Sequence, residues 1–278
     1  MARLDRALPG RIEGFYLVGS ACMGGFRPGR SDVDFVAVAD GELARTELAR
    51  LRAVHLGRWA SALARDVAIR RCWPLVCNGF YLRSGDLARS PLEVTPLAGH
   101  VSGRFRIAER EGFDVNPVTW RVLARHGIAL RGPERERLRV HGDPVELRAW
   151  VHGNLNGYWR GWVERARHVG PTRATILGRR FIAAGVLGAP RLHYTLATGE
   201  VTTKEAAGAY ALDAFEPRWR TLVEDALGYW RGDPPAQPYR RHPVRRRHDA
   251  VAFVSWVIAA GNALIPPDSL TGRPIDEV

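Results

Sequence analysis

With 278 residues the chain is long enough for two domains, and its 46% apolar content excludes bulk disorder. Lys and Arg number 41 against 29 Asp and Glu, a formal charge of +12 that suggests a polyanionic partner. No apolar run is long enough to span a bilayer, MARLDRALPG carries no export pattern, and the three cysteines (Cys22, Cys72, Cys77) are odd in number and lack metal-ligand spacing, which fits a reducing cytoplasm.

Residues 1 to 10 read as a short helix ended by Pro9-Gly10. An apolar strand from Phe15 to Val18 follows, then a Gly19-Ser20 turn, a short helical start and a loop containing Gly24, Gly25 and Pro28. Ser31-Asp32-Val33-Asp34 then enters a second apolar strand that closes at Asp40-Gly41. Side chains alternate along a strand, so Asp32 and Asp34 are expected on one face while Val33 points into the core. Two like charges that close repel unless a cation lies between them, and a hard divalent ion, most simply Mg2+, suits a pair of carboxylates. Gly19 and Ser20 add backbone N–H groups and a hydroxyl suited to phosphate oxygens. The combination describes a site for a metal-bound nucleoside triphosphate. Taken singly, a D-x-D or a Gly-Ser is usually just a solvated turn.

Apolar residues recur at helical spacing from Glu42 to about Arg65. Trp73 to Cys77 and Gly79 to Leu82 read as a third strand, and the order of elements suggests a mixed sheet covered by helices. Ser90 to Val115 is weakly patterned, with a strand expected near Val94. Asn116 caps a helix that opens on Pro117 and runs to Gly127. A boundary is placed near Arg131-Gly132-Pro133, giving domains at 1–133 and 144–265 and a loose tail at 266–278.

Beyond Asp143 the pattern is helical. Asp143-Pro144 opens a helix to about Val169 carrying Trp150, Trp159 and Trp162. Gly170-Pro171-Thr172 starts the next helix, to about Leu187, followed by Arg191–Ala197, Thr203–Leu212, Pro217–Trp230 and, after a Pro-rich linker, Val244–Leu264. Lys204 is the only lysine among the 41 basic residues. A chain so biased toward Arg that keeps one Lys has a use for a compact ammonium at phosphate, although one leftover lysine can also be chance. The basic residues otherwise cluster only at Arg240 to His248, which reads first as a solvated face and second as a nucleic-acid contact.

These motifs resemble the spectinomycin/streptomycin (aminoglycoside) adenylyltransferases, a branch of the DNA polymerase β-like nucleotidyltransferases. The match lies in Gly19-Ser20-Ala21 with Ser31-Asp32-Val33-Asp34, in Gly127 to Pro133, and in Arg191-Leu192-His193-Tyr194, Thr198-Gly199, Thr203-Lys204 and Tyr229-Trp230-Arg231-Gly232. The resemblance implies an α+β chain: an N-terminal nucleotidyltransferase mixed sheet with covering helices, then an all-helical bundle domain. It implies Mg2+ on Asp32 and Asp34, and ATP as co-substrate near Gly19, Ser20, Ser31, Asn116, Arg191, Lys204 and Tyr229, with the helical domain completing the site. A small-molecule acceptor, an aminoglycoside, would receive AMP on a hydroxyl and stack on Trp159 and Trp162, unless those rings are ordinary helix packing.

The chain departs from the family pattern in two respects. The family's third carboxylate, a general base and metal ligand, falls on Asn78, which cannot accept a proton at neutral pH. Asp86 and Glu93 are nearby candidates to replace it. The region expected to hold a polycationic acceptor is rich in Arg, with Glu164 its only acid. Alternatives are therefore an anionic acceptor such as RNA or a phosphorylated metabolite, and a catalytically weakened nucleotide-binding relative.

Overall fold

The computed structural model describes residues 1–69, 75–109, 113–168 and 177–265. It divides into a unit at Met1–Asp143 and a second from Pro144 onward, so residues 134–143 join the first unit, where the His141 N–H donates to the Leu87 carbonyl.

In the first unit, apolar alternation builds β1 (Ile12–Val18), β2 (Val33–Ala39), β3 (Cys77–Arg83), β4 (Ala98–Val101), β5 (Arg104–Ile107) and β6 (Ile128–Arg131). They form one sheet in the order β5-β4-β3-β2-β1-β6. Only β2 and β3 run parallel. A parallel pair needs a crossover, supplied here by α2 (Arg45–Ala62) and its π-helical continuation Leu63–Ile69. Phe35 lies on the face covered by α1 (Ala2–Ala7) and α2, where it stacks on Phe15 at 4.9 Å and on His55 at 5.7 Å. The alternate residues point to the other face, where Phe80 stacks on Trp120 of α3 (Pro117–His126) at 6.0 Å.

Several boundaries differ from the sequence expectation. The third strand starts at Cys77; residues 73 and 74 lie outside the described residues. Val94 is fully buried just after the turn at 91–93, and the strands of this region are β4 and β5. Their two-residue turn, Ser102-Gly103, has φ of +47° and +85°, the left-handed pair that matches the twist of a tight hairpin.

The second unit contains α4 (Pro144–Asn154), a π-helical turn Leu155–Trp159, α5 (Arg160–Arg167), α6 (Arg179–Thr198), α7 (Lys204–Ala214), α8 (Arg220–Arg231) and α9 (Pro243–Ala263). The break expected at 170–172 and the tail after residue 265 lie outside the described residues. In place of the break expected between Leu187 and Arg191, α6 runs through Pro190. An interior proline costs a helix about 3 kcal/mol. Here α6 packs against α4, α7, α8 and α9, and its buried run from Ile182 to Pro190 offsets that cost.

The contact between α6 and the aromatic segment is made by glycines. A Cβ on Gly188 would lie 2.1 Å from the Trp159 ring, and one on Gly185 would lie 2.4 Å from Trp162. In an exposed helix, Gly to Ala gains roughly 1 kcal/mol. At these positions the sign is reversed: Gly185→Ala and Gly188→Ala should each destabilise by about 1–3 kcal/mol through overpacking, read from urea unfolding.

The first unit buries a histidine pair. His55 Nε2 meets the Tyr81 hydroxyl at 2.8 Å, and the His55 and His100 rings stack at 4.9 Å. Burial, with a smaller contribution from His100, pushes His55 from its ordinary 6.5 down to about 3. The unfolded chain therefore binds the extra proton between these values, so this stability is complete above pH 6.5 and is lost as pH falls toward 3. Melting temperature should drop across that window, and His55→Gln should flatten the drop.

Candidate functional site

Strand directions bring four segments to one end of the sheet. These are the exit of β1 at Gly19, the start of β2, the start of β3, and the β4–β5 turn. Register pairs Val18 with Asp34 and Asp34 with Asn78. Directly paired residues share a face, so Asp34 and Asn78 sit side by side on the face that α3 covers. The Asp34 carboxylate comes so close to the chain that a Cβ on Gly19 would lie 2.4 Å from Oδ2, and Gly19 has φ +64°. Only glycine meets both conditions without strain.

Asp32 lies one residue before β2, not inside it as strand alternation predicted, because the ladder begins with the Val33 N–H donating to the Val76 carbonyl. Val33 is consequently half-buried. The Asp32 carboxylate reaches the same site by another route: its Oδ2 accepts from Asn78 Nδ2 at 3.0 Å. Asn78 Oδ1 in turn accepts from the Ser102 N–H at 3.0 Å. Among the described residues no group of three or more His, Cys, Asp or Glu is placed to hold a metal. Among the described residues, Asp32 and Asp34 bring carboxylates to this end, an oxygen donor set of the kind that suits a hard divalent ion.

Neighbouring residues take supporting roles. Gly19–Ala21 makes a single 3-10 turn, so it offers backbone N–H groups and the Ser20 hydroxyl but not the dipole of a long helix. Cys22 donates to the Gly19 carbonyl at 3.2 Å, and burial pushes its thiol up to about 11, which keeps it protonated. Ser31 is buried, with its hydroxyl accepting from the Arg27 N–H at 3.0 Å to close the loop. Asn116 is buried and caps α3 through the Thr119 N–H at 3.0 Å.

Neither candidate replacement for the base is at this end. Asp86 follows the far end of β3, five strand residues or about 17 Å beyond Asn78, and accepts from the Arg83 N–H while facing Arg83 and Arg89. Glu93 is exposed in the loop that leads into β4, which runs antiparallel to β3 and so starts from that far end.

In the second unit Arg191 is tied to the segment that enters α7 and Lys204 opens that helix, while Tyr229 lies on α8. Arg191 Nε donates to the Thr202 carbonyl at 3.0 Å, Thr203 caps α7 through the Ala206 N–H, and Lys204 is the first helical residue. Lys204 Nζ sits 4.7 Å from the Trp230 ring centroid, a cation–π contact. Tyr229, adjacent to Trp230 on α8, lies under the Arg179 guanidinium at 5.5 Å. Trp159 and Trp162 do not form an aromatic platform; both are buried against α6, and the ring left exposed is Tyr158.

The basic cluster is partly solvated, with Arg240, Arg241 and Arg245 exposed. Arg246 and Arg247 are buried: Arg246 donates to the Leu177 carbonyl and pairs with Asp225, while Arg247 reaches the Ala166 and Arg167 carbonyls. No helix among the described residues is long and apolar enough to cross a membrane.

Sequence reasoning missed Ser102 and Trp230. The Val-Ser-Gly-Arg turn between two short strands was the available signal for Ser102. Trp230 stood within a recognised motif but had no assigned task.

A paired-carboxylate sheet end and an all-helical second unit define the nucleotidyltransferase class of enzymes. Residues 178–257 match the family described as aminoglycoside adenylyltransferase, C-terminal domain. Spectinomycin 9-adenylyltransferase of Campylobacter jejuni is 25% identical over 237 residues, covering 81% of each chain. The crystal structure of spectinomycin adenyltransferase AAD(9) from Enterococcus faecialis, with ATP and spectinomycin, has the same fold, with TM-score 0.68 at 12% identity over 94% of this chain and 96% of that one. Together these are likenesses to aminoglycoside adenylyltransferases, in the second unit's family model, in the curated relative and in the fold.

The Gly19 constraint is testable against Gly24, which has φ +70° and nothing within 4 Å of an added Cβ. Gly24→Ala should cost only the left-handed backbone penalty of about 1–2 kcal/mol. Gly19→Ala should cost distinctly more, because Asp34 must also move; equilibrium unfolding of the two variants gives the comparison.

Proposed function

We propose that the chain transfers AMP from ATP to a hydroxyl of an aminoglycoside-type antibiotic, with Mg2+ held by Asp32 and Asp34. The observation that carries the reading is the seating of Asp34 against Gly19 with Asp32 at the same sheet end, in a chain similar to aminoglycoside adenylyltransferases. A divalent cation there would neutralise charge on the phosphates. Gly19 and Ser20 offer donors to phosphate oxygens, and in the second unit Lys204, with Arg191 and Tyr229, is suited to nucleotide phosphate, Lys204 as a point charge. The acceptor oxygen bonds to the α-phosphorus while its bond to the bridging oxygen breaks, and pyrophosphate leaves. Most of the rate then comes from positioning and electrostatics.

Asn78 does not serve as the base in this reaction, since its amide is not basic and both its ends are engaged. The hydroxyl proton passes to solvent, and the missing base lowers the rate by about 10²- to 10⁴-fold.

The test is incubation of the purified chain with ATP, Mg2+ and spectinomycin or streptomycin, with product mass measured. An AMP-sized increment supports the reading. Unmodified antibiotic alongside retained ATP binding removes the acceptor assignment. Asp32→Asn and Asp34→Asn should each lower turnover by about 10²-fold or more. Lys204→Met should raise KM for ATP while leaving the fold's melting temperature within a few degrees.

A further inference from the structure

We infer that Asn78 is a positioning residue that limits this site to one divalent cation, the ion shared by Asp32 and Asp34; the inference rests on the metal–nucleotide reading above. The orientation of the Asn78 amide is forced by its two partners. A carboxylate only accepts, so the atom facing Asp32 Oδ2 at 3.0 Å is the amide nitrogen. A backbone N–H only donates, so the atom facing Ser102 at 3.0 Å is the amide oxygen. Flipping the amide breaks both bonds and sets oxygen against oxygen.

The Ser102 donor is itself fixed from below. Ser102 holds φ +47°, a conformation unusual for a non-glycine residue, within a turn whose next N–H, from Gly103, donates to His100 Nε2 at 3.2 Å. That bond leaves the His100 proton on Nδ1, which meets the Cys77 carbonyl at 2.9 Å. Gly103 also packs face to face with Trp59, where a Cβ would lie 2.6 Å from the ring. The turn cannot drift away from Asn78 without disturbing a buried histidine and a tryptophan.

Register places Asn78 directly opposite Asp34, where a third ligand would join the two carboxylates. What it presents to Asp32 is a donor hydrogen, the positive end of a dipole. A cation shared between Asp32 and residue 78 is therefore repelled, while one shared between Asp32 and Asp34 is not. The amide also offsets charge on Asp32, which a third carboxylate would increase.

The experiment counts Mn2+ bound per chain by electron paramagnetic resonance, in the presence of the non-hydrolysable analogue α,β-methylene-ATP. Nucleotide binding is measured separately on the same samples. The natural chain should bind one Mn2+ per bound nucleotide, and Asn78→Asp should bind two. Two ions on the natural chain, or one on both chains with unchanged affinity, would falsify the inference while leaving the metal–nucleotide reading intact. Absence of any Mn2+–nucleotide complex on the natural chain overturns that reading and the inference together. Asn78→Ala, which removes the donor and adds no charge, should weaken Mn2+ binding about three- to tenfold by releasing Asp32; unchanged affinity there removes the positioning role.

Discussion

The Asp34 carboxylate occupies space that a side chain at position 19 would need, and the rest of the sheet end is arranged around that contact. Because Gly19 takes a left-handed turn as β1 leaves the sheet, the chain clears Asp34 and returns through the 19–31 loop, which Ser31 closes at its base. Asp34 is held by its place in β2, whereas Asp32 precedes the ladder and is held through the Asn78 amide. One carboxylate is thus positioned by backbone and the other by a side chain. The two have different vulnerabilities: the first fails when the strand or Gly19 changes, the second when the Asn78–Ser102 connection does.

Much of this was legible because it depends on local rules. Apolar alternation located β1 and β2, helical periodicity located α2 and α7, and Asn116-Pro117 announced α3 through cap chemistry. What stayed hidden depends on partners far away in sequence. Asp32 falls outside β2 because Val33 finds Val76 first, and no reading of residues 31–38 alone contains Val76. The tryptophans at 159 and 162 read equally as a ligand platform or as helix packing, and the surface they fill is supplied by the distant Gly185 and Gly188. The break expected between Leu187 and Arg191 does not occur, because tertiary packing of α6 outweighs the local cost of its interior Pro190.

Part of the chain's positive charge lies inside the helical unit. Arginines at 179, 246 and 247 satisfy carbonyls there, and Arg179 and Arg246 also pair with Asp225. Asp225 also accepts from the Ala236 N–H at 2.8 Å, so the Pro-rich 233–238 segment is tied down through the same carboxylate. Removing Asp225 would leave two buried cations facing each other, a loss larger than any single surface pair contributes. Arginine suits this use because its planar fork reaches several acceptors at once and is more weakly hydrated than an ammonium.

The ammonium of Lys204 rests on the Trp230 ring, and the chain has no other lysine. Chemistry selective for ε-amines therefore reports on one side chain in the whole molecule, apart from the terminal amine. The indole beneath it is a built-in optical neighbour, sensitive to whether the charge stays over its face. Here the pair stands at the start of α7, beside the segment that Arg191 holds through the Thr202 carbonyl.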